Sequence, residues 1–302
     1  MAKTRWINVL KNTLNTPITR ATAIGFISIV LWGMLALLTS LTEGRIPPFQ
    51  MLAMTFAIAF LLMLGNWLRQ GHIGWQHARQ PWGAWLLGVG GLFGYHFFYF
   101  LAMAHAPVVD VSLIAYLWPL LIVLFAALLP GEHLSKYHLF GSVLAFAGCW
   151  LLVGGGSGGF NADYLPGYLA ALTCAVGWAV YSVASRLVKD VPTDAVGWFC
   201  GVTALLGLVC HLLLEQTVWP ANGMAWLGVI GLGLGPVGIA FFTWDYGVKH
   251  GNLQLLGVLS YAAPLISVVL LIAAGKAEPE WSILLACLAI VGGAWVASRA
   301  GR

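Results

Sequence analysis

A histidine between two tyrosines, Tyr95, His96 and Tyr99 in Gly94-Tyr-His-Phe-Phe-Tyr-Phe100, stands well inside an apolar run. At i, i+1 and i+4 the three form one polar-aromatic face of a helix, about three to six turns from its cytoplasmic end at roughly 1.5 Å per residue. An ionisable group at such depth faces protein or water rather than lipid, and marks a solute pathway or a proton carrier more often than chance allows. The plain alternative for His96 is a core histidine bonded to a neighbouring helix. A second set repeats the idea: Trp178, Tyr181, Ser182 and Ser185 at i, i+3, i+4 and i+7. Tyr116 and Trp118, Ser260 and Tyr261, and Trp32 add rings and hydroxyls at similar depth. A lining of this kind suits a planar apolar solute through offset and edge contacts, with the Tyr, His and Ser groups fixing its polar end. It would also hold a cationic aromatic compound over ring faces. Taken singly, each of these aromatics reads more readily as a packing residue than as a cavity residue.

The elements that carry these residues follow from composition. With 60% hydrophobic and 8% charged residues, and a mean hydropathy of +0.88, a soluble chain of 302 residues could not cover its surface with polar groups. Ten apolar stretches reach spanning length: 22–41, 48–68, 82–104, 110–129, 137–154, 166–185, 195–214, 224–244, 253–273 and 281–298. Gly-Pro-charge clusters such as Glu43-Gly44-Arg45-Ile46-Pro47-Pro48 and Pro130-Gly131-Glu132 punctuate them. Of the 14 Lys and Arg, all but Arg45 and Lys276 fall on the side of the N-terminus, which the positive-inside rule makes cytoplasmic. The net charge of +4 is thus a topology signal and points to no nucleic-acid partner. The basic residues before position 21 read as a retained cytoplasmic tail, because the run that follows spans and lacks a cleavage site. The five cysteines lie in apolar runs without a CxxC and read as packing residues. Trp67, Trp82, Trp226 and Trp281, near span ends, read as interfacial belts. Gly90xxxGly94 and Gly231xxxGly235 read as close-packing helix faces.

The chain also repeats. At an offset of 145, Tyr116-Leu-Trp-Pro119-Leu falls on Tyr261-Ala-Ala-Pro264-Leu, and Gly148-Cys-Trp150 falls on Gly293-Ala-Trp295. Trp32 meets Trp178 at an offset of 146. The expected organisation is a tail over 1–21, a five-helix repeat over 22–155, a glycine linker at 154–159 and a second five-helix repeat over 160–298. Because five is odd, the second repeat enters the membrane from the opposite side. The fold class is therefore all-α integral membrane, ten spans as two inverted repeats with both termini cytoplasmic, the architecture of secondary transporters with a midplane site. Pro119 and Pro264, at matched positions, are expected to bend the fourth and ninth spans and to shape or gate the cavity.

The run from Tyr116-Leu-Trp-Pro119 through Pro130-Gly131-Glu132-His-Leu-Ser to Gly141, Gly148 and Leu-Leu-Val153 resembles the end of an EamA-type repeat of the drug/metabolite transporter superfamily. The second half departs from it, reading Gly275-Lys-Ala-Glu278 without the glycine before the acid. The resemblance covers essentially the whole chain and implies a transporter. Within the superfamily the chain is most similar to bacterial inner-membrane exporters of aromatic amino acids, which implies an aromatic solute; the residues expected from their spacing and depth to line its site are Tyr95, His96, Tyr99, Tyr116, Trp118, Trp178, Tyr181, Tyr261 and Trp32.

Chemistry of other classes lacks its residues. There is no HExxH or GxxxxGK[ST] and no pair of carboxylates at depth, so no enzyme, no metal site, no cofactor and no intrinsic ATP drive is expected. Of the ten acidic residues only Asp110 and Asp245 approach a span, both near helix ends, and Asp245 with Lys249 at i+4 reads as a local ion pair. With no carboxylate at midplane, transport driven by the solute gradient is the favoured reading; should protons couple, His96 is the best-placed carrier. The partners implied are the lipid bilayer and a small-molecule substrate, with no oligomeric state specified. Export of another metabolite, a lipid-acting enzyme and a structural membrane protein are the competing readings.

Overall fold

The computed structural model describes residues 16–153 and 161–300. Among these the chain is helical without strands. Nine helices are long and apolar enough to cross a membrane: α1 (Pro17–Ser40), α2 (Pro48–Arg69), α3 (Trp82–His105), α4 (Val108–Ala126), α5 (Lys136–Val153), α6 (Ala162–Val188), α7 (Ala195–Leu214), α8 (Gly223–His250) and α9 (Leu253–Ala273). A further apolar helix, α10 (Trp281–Ala297), has 17 residues. That is about 25 Å at 1.5 Å per residue, short of a full span. The multi-pass helical architecture expected from composition is thus present. The glycine linker at 154–159 and most of the basic tail lie outside the described residues.

Local signals place the helix ends. Thr16 caps α1, its Oγ1 accepting from Thr19 N at 3.2 Å, and Pro17 follows in the first turn. This cap starts the helix five residues before the apolar run and draws Arg20 into it. Asn222 and Asn252 cap α8 and α9 in the same way.

Antiparallel crossings between the two halves hold the bundle together. On α5 and α10, Gly141 and Gly293 bring their backbones against each other's carbonyls, and Gly148 meets the Ala286 carbonyl. Numbers rise on one helix as they fall on the other, so the helices are antiparallel. At the repeat offset Gly148 corresponds to Gly293 and Gly141 to Ala286, and the crossing maps onto itself when the halves are exchanged. Between α2 and α7, Met63 lies against Gly197, Phe60 against Gly201 and Leu52 against Gly207, again antiparallel. Exchange carries the α1–α8 pair, with Gly25 on Gly247, onto the α6–α3 pair, with Tyr181 on Gly91.

Two expectations are corrected here. Gly90 and Gly94 face open space, with no atom within 4 Å of an added Cβ; on α3 the close approaches are at Gly88, under the Phe199 ring, and Gly91. The helix is turned so that the 88/91/95 face meets α6 and α7. Trp67 is fully buried, unlike Trp82 at 74% and Trp281 at 82% exposure. The left-handed Gly74 folds the following loop back over it, and Trp67 stacks between His77 and Trp198 at 5.7 and 5.8 Å. Gly293→Val is expected to lower stability by about 2–3 kcal/mol, because its branches meet the Gly141 carbonyl, while Gly94→Ala stays within about 0.5 kcal/mol. Thermal unfolding in detergent checks both, and an unshifted midpoint for G293V would remove the crossing from the account.

Four interruptions break the long helices. α4 opens at Tyr116 and Leu117, just before Pro119, and α9 at Ser260 and Tyr261, just before Pro264. Each proline lacks the N–H that would continue the ladder. The broken helices cross there, Gly257 lying against the Pro119 carbonyl and Ile122. α1 breaks at Met34, and α8 widens into a π-helical stretch, Gly233–Ile239, around Pro236.

Candidate functional site

Four tryptophans from four helices meet at the centre. Trp32 of α1 lies 6.0 Å from Trp118 of α4, 5.8 Å from Trp178 of α6 and 5.0 Å from Trp244 of α8, centroid to centroid. Trp178 and Trp244 stack at 6.4 Å, and Phe241, 5.8 Å from Trp178, extends the cluster to Phe56 at 5.5 Å. Two indole N–H groups fix ring orientation: Trp32 Nε1 donates to the Pro236 carbonyl at 3.0 Å, and Trp244 Nε1 to Ser182 Oγ at 3.1 Å. The first of these uses the widened turn of α8, so the π-helical stretch helps position Trp32.

The α3 face joins this cluster. Tyr95 lies 5.4 Å from Trp178 and 6.1 Å from Tyr99, with rings nearly parallel at 5°. His96 meets Phe56 edge to face at 5.2 Å and donates from Nδ1 to the Leu92 carbonyl at 2.7 Å. A carbonyl can only accept, so Nδ1 carries a hydrogen. Trp118, Trp178, Trp244 and Tyr181 are buried, whereas Trp32, Tyr95, His96 and Tyr99 are half-buried.

Tyr181 packs 5.1 Å from Trp178, with its hydroxyl buried and unpartnered among the described residues. Tyr116 packs against the buried cluster that holds Tyr261, and its hydroxyl lies within electrostatic range of those of Tyr95 and Tyr99. Tyr261 is placed elsewhere: fully buried, 6.0 Å from Phe146, among residues of α5, α9 and α10. Of the serines, Ser182 serves Trp244, while Ser185 and Ser260 donate to their own helix at Tyr181 O and Leu256 O. The sequence reading missed Trp244, Phe241 and Phe56. Trp244 was within its reach, since the offset of 145 sets it on Tyr99.

Below the cluster, towards the end of α8 that carries Lys249, lies a buried polar knot. Lys249 Nζ reaches Asp245 Oδ2 at 2.9 Å, with side chains 3% and 4% exposed. Thr193 Oγ1 donates to the same oxygen at 2.6 Å, and Lys249 also donates to the Val191 carbonyl at 2.9 Å. Arg186 pairs with Glu132 at 3.1 Å and donates to the Val248 and Gly251 carbonyls. These contacts tie α6, α8 and the loop after α4 together. At the opposite end, both Glu215 oxygens accept from the first N–H groups of α2, Phe49 and Gln50, at 2.9 and 3.0 Å.

The model of the EamA-like transporter family matches residues 19–154 and again 165–299. The chain belongs to that family. This EamA-type transporter is 54% identical over 284 residues to the aromatic amino acid exporter YddG of Ancylobacter novellus, covering 93% of this chain and 98% of that protein. The Escherichia coli protein of the same name is 28% identical over 301 residues, covering 93% and 99%. A solved crystal structure superposes with a TM-score of 0.88 at 53% identity, over 94% of this chain and 99% of that one. The chain is also 24% identical over 203 residues to a biotin transporter of Escherichia coli, covering 65% of this chain and 67% of that protein.

Proposed function

We propose that this EamA-type transporter exports aromatic amino acids, and small aromatic solutes of similar shape, from the cytoplasm by alternating access. The observation that carries the reading is the ring cluster, in which half-buried Trp32, Tyr95, His96 and Tyr99 stand against buried Trp118 and Trp178 and would border a recess for the solute. Its rings come from both repeats and suit stacking of a planar side chain. The name of the 54% identical relative supports the same solute class. Tyr95, Tyr99, Tyr116 and His96 supply the hydroxyls and ring nitrogen that meet the polar end of the solute, and Tyr181 closes the floor. Tyr261 contributes from behind, by supporting the broken α9.

The proposed topology has ten crossings with both termini cytoplasmic, α10 completing the tenth. Supporting it are the distribution of cations, the antiparallel crossings that map onto themselves and the placement of Arg299 over the Trp295 ring, 4.3 Å from its centroid, as an anchor for the short helix. The repeats run over 22–155 and 160–298, in the inner membrane of a bacterium. The breaks at Pro119 and Pro264 let α4 and α9 bend while the rigid pairs rock. The protein carries out no chemistry on its solute, and movement follows the concentration gradient.

Counterflow into liposomes with labelled phenylalanine, tryptophan, alanine and threonine tests the assignment. Accumulation of the two aromatic amino acids alone is expected. Movement of only the small ones would keep the transporter and overturn the solute class.

A further inference from the structure

α2 and α8 run side by side in the same direction, touching where Gly233 meets Ile58 and Gly238 meets Leu62. Beyond Leu62 they part, and a cleft of about 600 Å³ opens between them. Leu61 and Leu62 form one wall, Ile239 and Phe242 the other, and Asn66 and Arg69 close its far end. An added Cβ at Gly65 meets nothing within 4 Å, so the glycine leaves the space open. Arg69 is exposed, and none of the ion pairs among the described residues includes it.

A long apolar cleft that ends in a lone guanidinium has the polarity of a single phospholipid. In the orientation proposed above, on which this inference rests for its leaflet but not for the solute, Arg69 sits at the cytoplasmic membrane surface. Anionic headgroups there attract basic residues. A guanidinium also matches phosphate geometry through paired N–H donors, and the Asn66 amide stands one turn away to share it. We propose that this cleft binds an anionic phospholipid of the inner leaflet, with an acyl chain between Leu62 and Phe242 and its phosphate on Arg69 and Asn66. The walls are too apolar for free phosphate, and a zwitterionic lipid gains less from the uncompensated charge. The site abuts the centre: Phe241, beside Phe242, belongs to the ring cluster, and the π-helical stretch ending at Ile239 holds Trp32 through the Pro236 carbonyl. A lipid seated here braces the wall of α8 that positions that tryptophan.

Purified full-length protein in detergent, titrated with phosphatidylglycerol, with phosphatidylcholine of the same chains, or with inorganic phosphate, tests this through the thermal midpoint. Phosphatidylglycerol is expected to raise the midpoint by about 5 °C more than phosphatidylcholine near saturation, and phosphate alone to do nothing. Arg69→Gln should weaken the apparent phosphatidylglycerol affinity about fivefold and leave the phosphatidylcholine response unchanged. Gly65→Leu, which fills the cleft without a clash at Cβ, should remove the difference between the lipids even if R69Q proves unstable. Equal responses to the two lipids, a full effect of phosphate, displacement of bound lipid by tryptophan, or an unchanged difference in both variants would each overturn the site. None of these readouts uses transport, so failure of the solute assignment leaves the lipid site standing, and the reverse.

Discussion

Lys249→Met is expected to cost about 3–5 kcal/mol of stability, the largest loss from any single surface-distant charge in the chain. The reason is the partner left behind. Asp245 is buried at 3% exposure, and among the described residues the Thr193 hydroxyl is the hydrogen-bond donor its carboxylate keeps once the ammonium is gone. Removing one member of a buried pair strands the other, and the stranded charge dominates the cost. The Val191 carbonyl loses its donor as well, so the loop between α6 and α7 loosens from α8. A double variant, D245N with K249M, removes both charges together. It is expected to recover more than half of the loss, because an amide can still accept from Thr193. Thermal unfolding and gel-filtration profiles in detergent read both effects. A midpoint for K249M within a degree or two of the parent would mean that water already solvates the pair, and the knot would then hold nothing.

The contrast between that knot and its reading from sequence shows where sequence runs out. Spacing at i and i+4 near a helix end is common to surface pairs and buried ones, and only the loop carrying Val191 and Thr193, 50 or more residues away in sequence, decides between them. Nine of the ten expected spans were legible because hydropathy is a property of each segment alone, and the breaks before Pro119 and Pro264 were legible because a missing N–H acts locally. Which face of a helix meets a neighbour is set by the whole bundle. Gly90xxxGly94 satisfied the small-residue pattern and packs against nothing, whereas Gly88 and Gly91, without that spacing, carry the approach of α7 and α6. The tyrosines divided for the same reason. Tyr95 and Tyr99 stay with the ring cluster, while Tyr261, one turn before Pro264, is rotated by the helix break towards α5. Trp244 stands beside Asp245 near the end of α8, and only the repeat that sets it on Tyr99 marks it as a central ring.

Trp32→Ala is expected to slow counterflow of phenylalanine and tryptophan roughly thirtyfold, with the protein still folded. Trp32 is the tryptophan of the central four that keeps accessible surface, so a solute in the recess meets its ring directly. An edge or offset ring contact contributes about 0.5–1.5 kcal/mol beyond burial, and the apolar area it covers adds a similar amount, for about 2 kcal/mol in all. That free energy corresponds to the stated factor. Trp75→Ala is the matched control. It deletes an indole of equal size, 58% exposed and stacked on Trp198 at 5.0 Å, outside the ring cluster, and should leave transport unchanged. A second contrast separates stacking from support: Trp32→Phe keeps a ring but loses the donor to the Pro236 carbonyl. If the ring matters for the solute, W32F retains most of the activity that W32A loses. If the hydrogen bond matters by holding the widened turn of α8, the two variants fail alike, and the aromatic recess would then be a consequence of helix packing rather than the basis of solute choice.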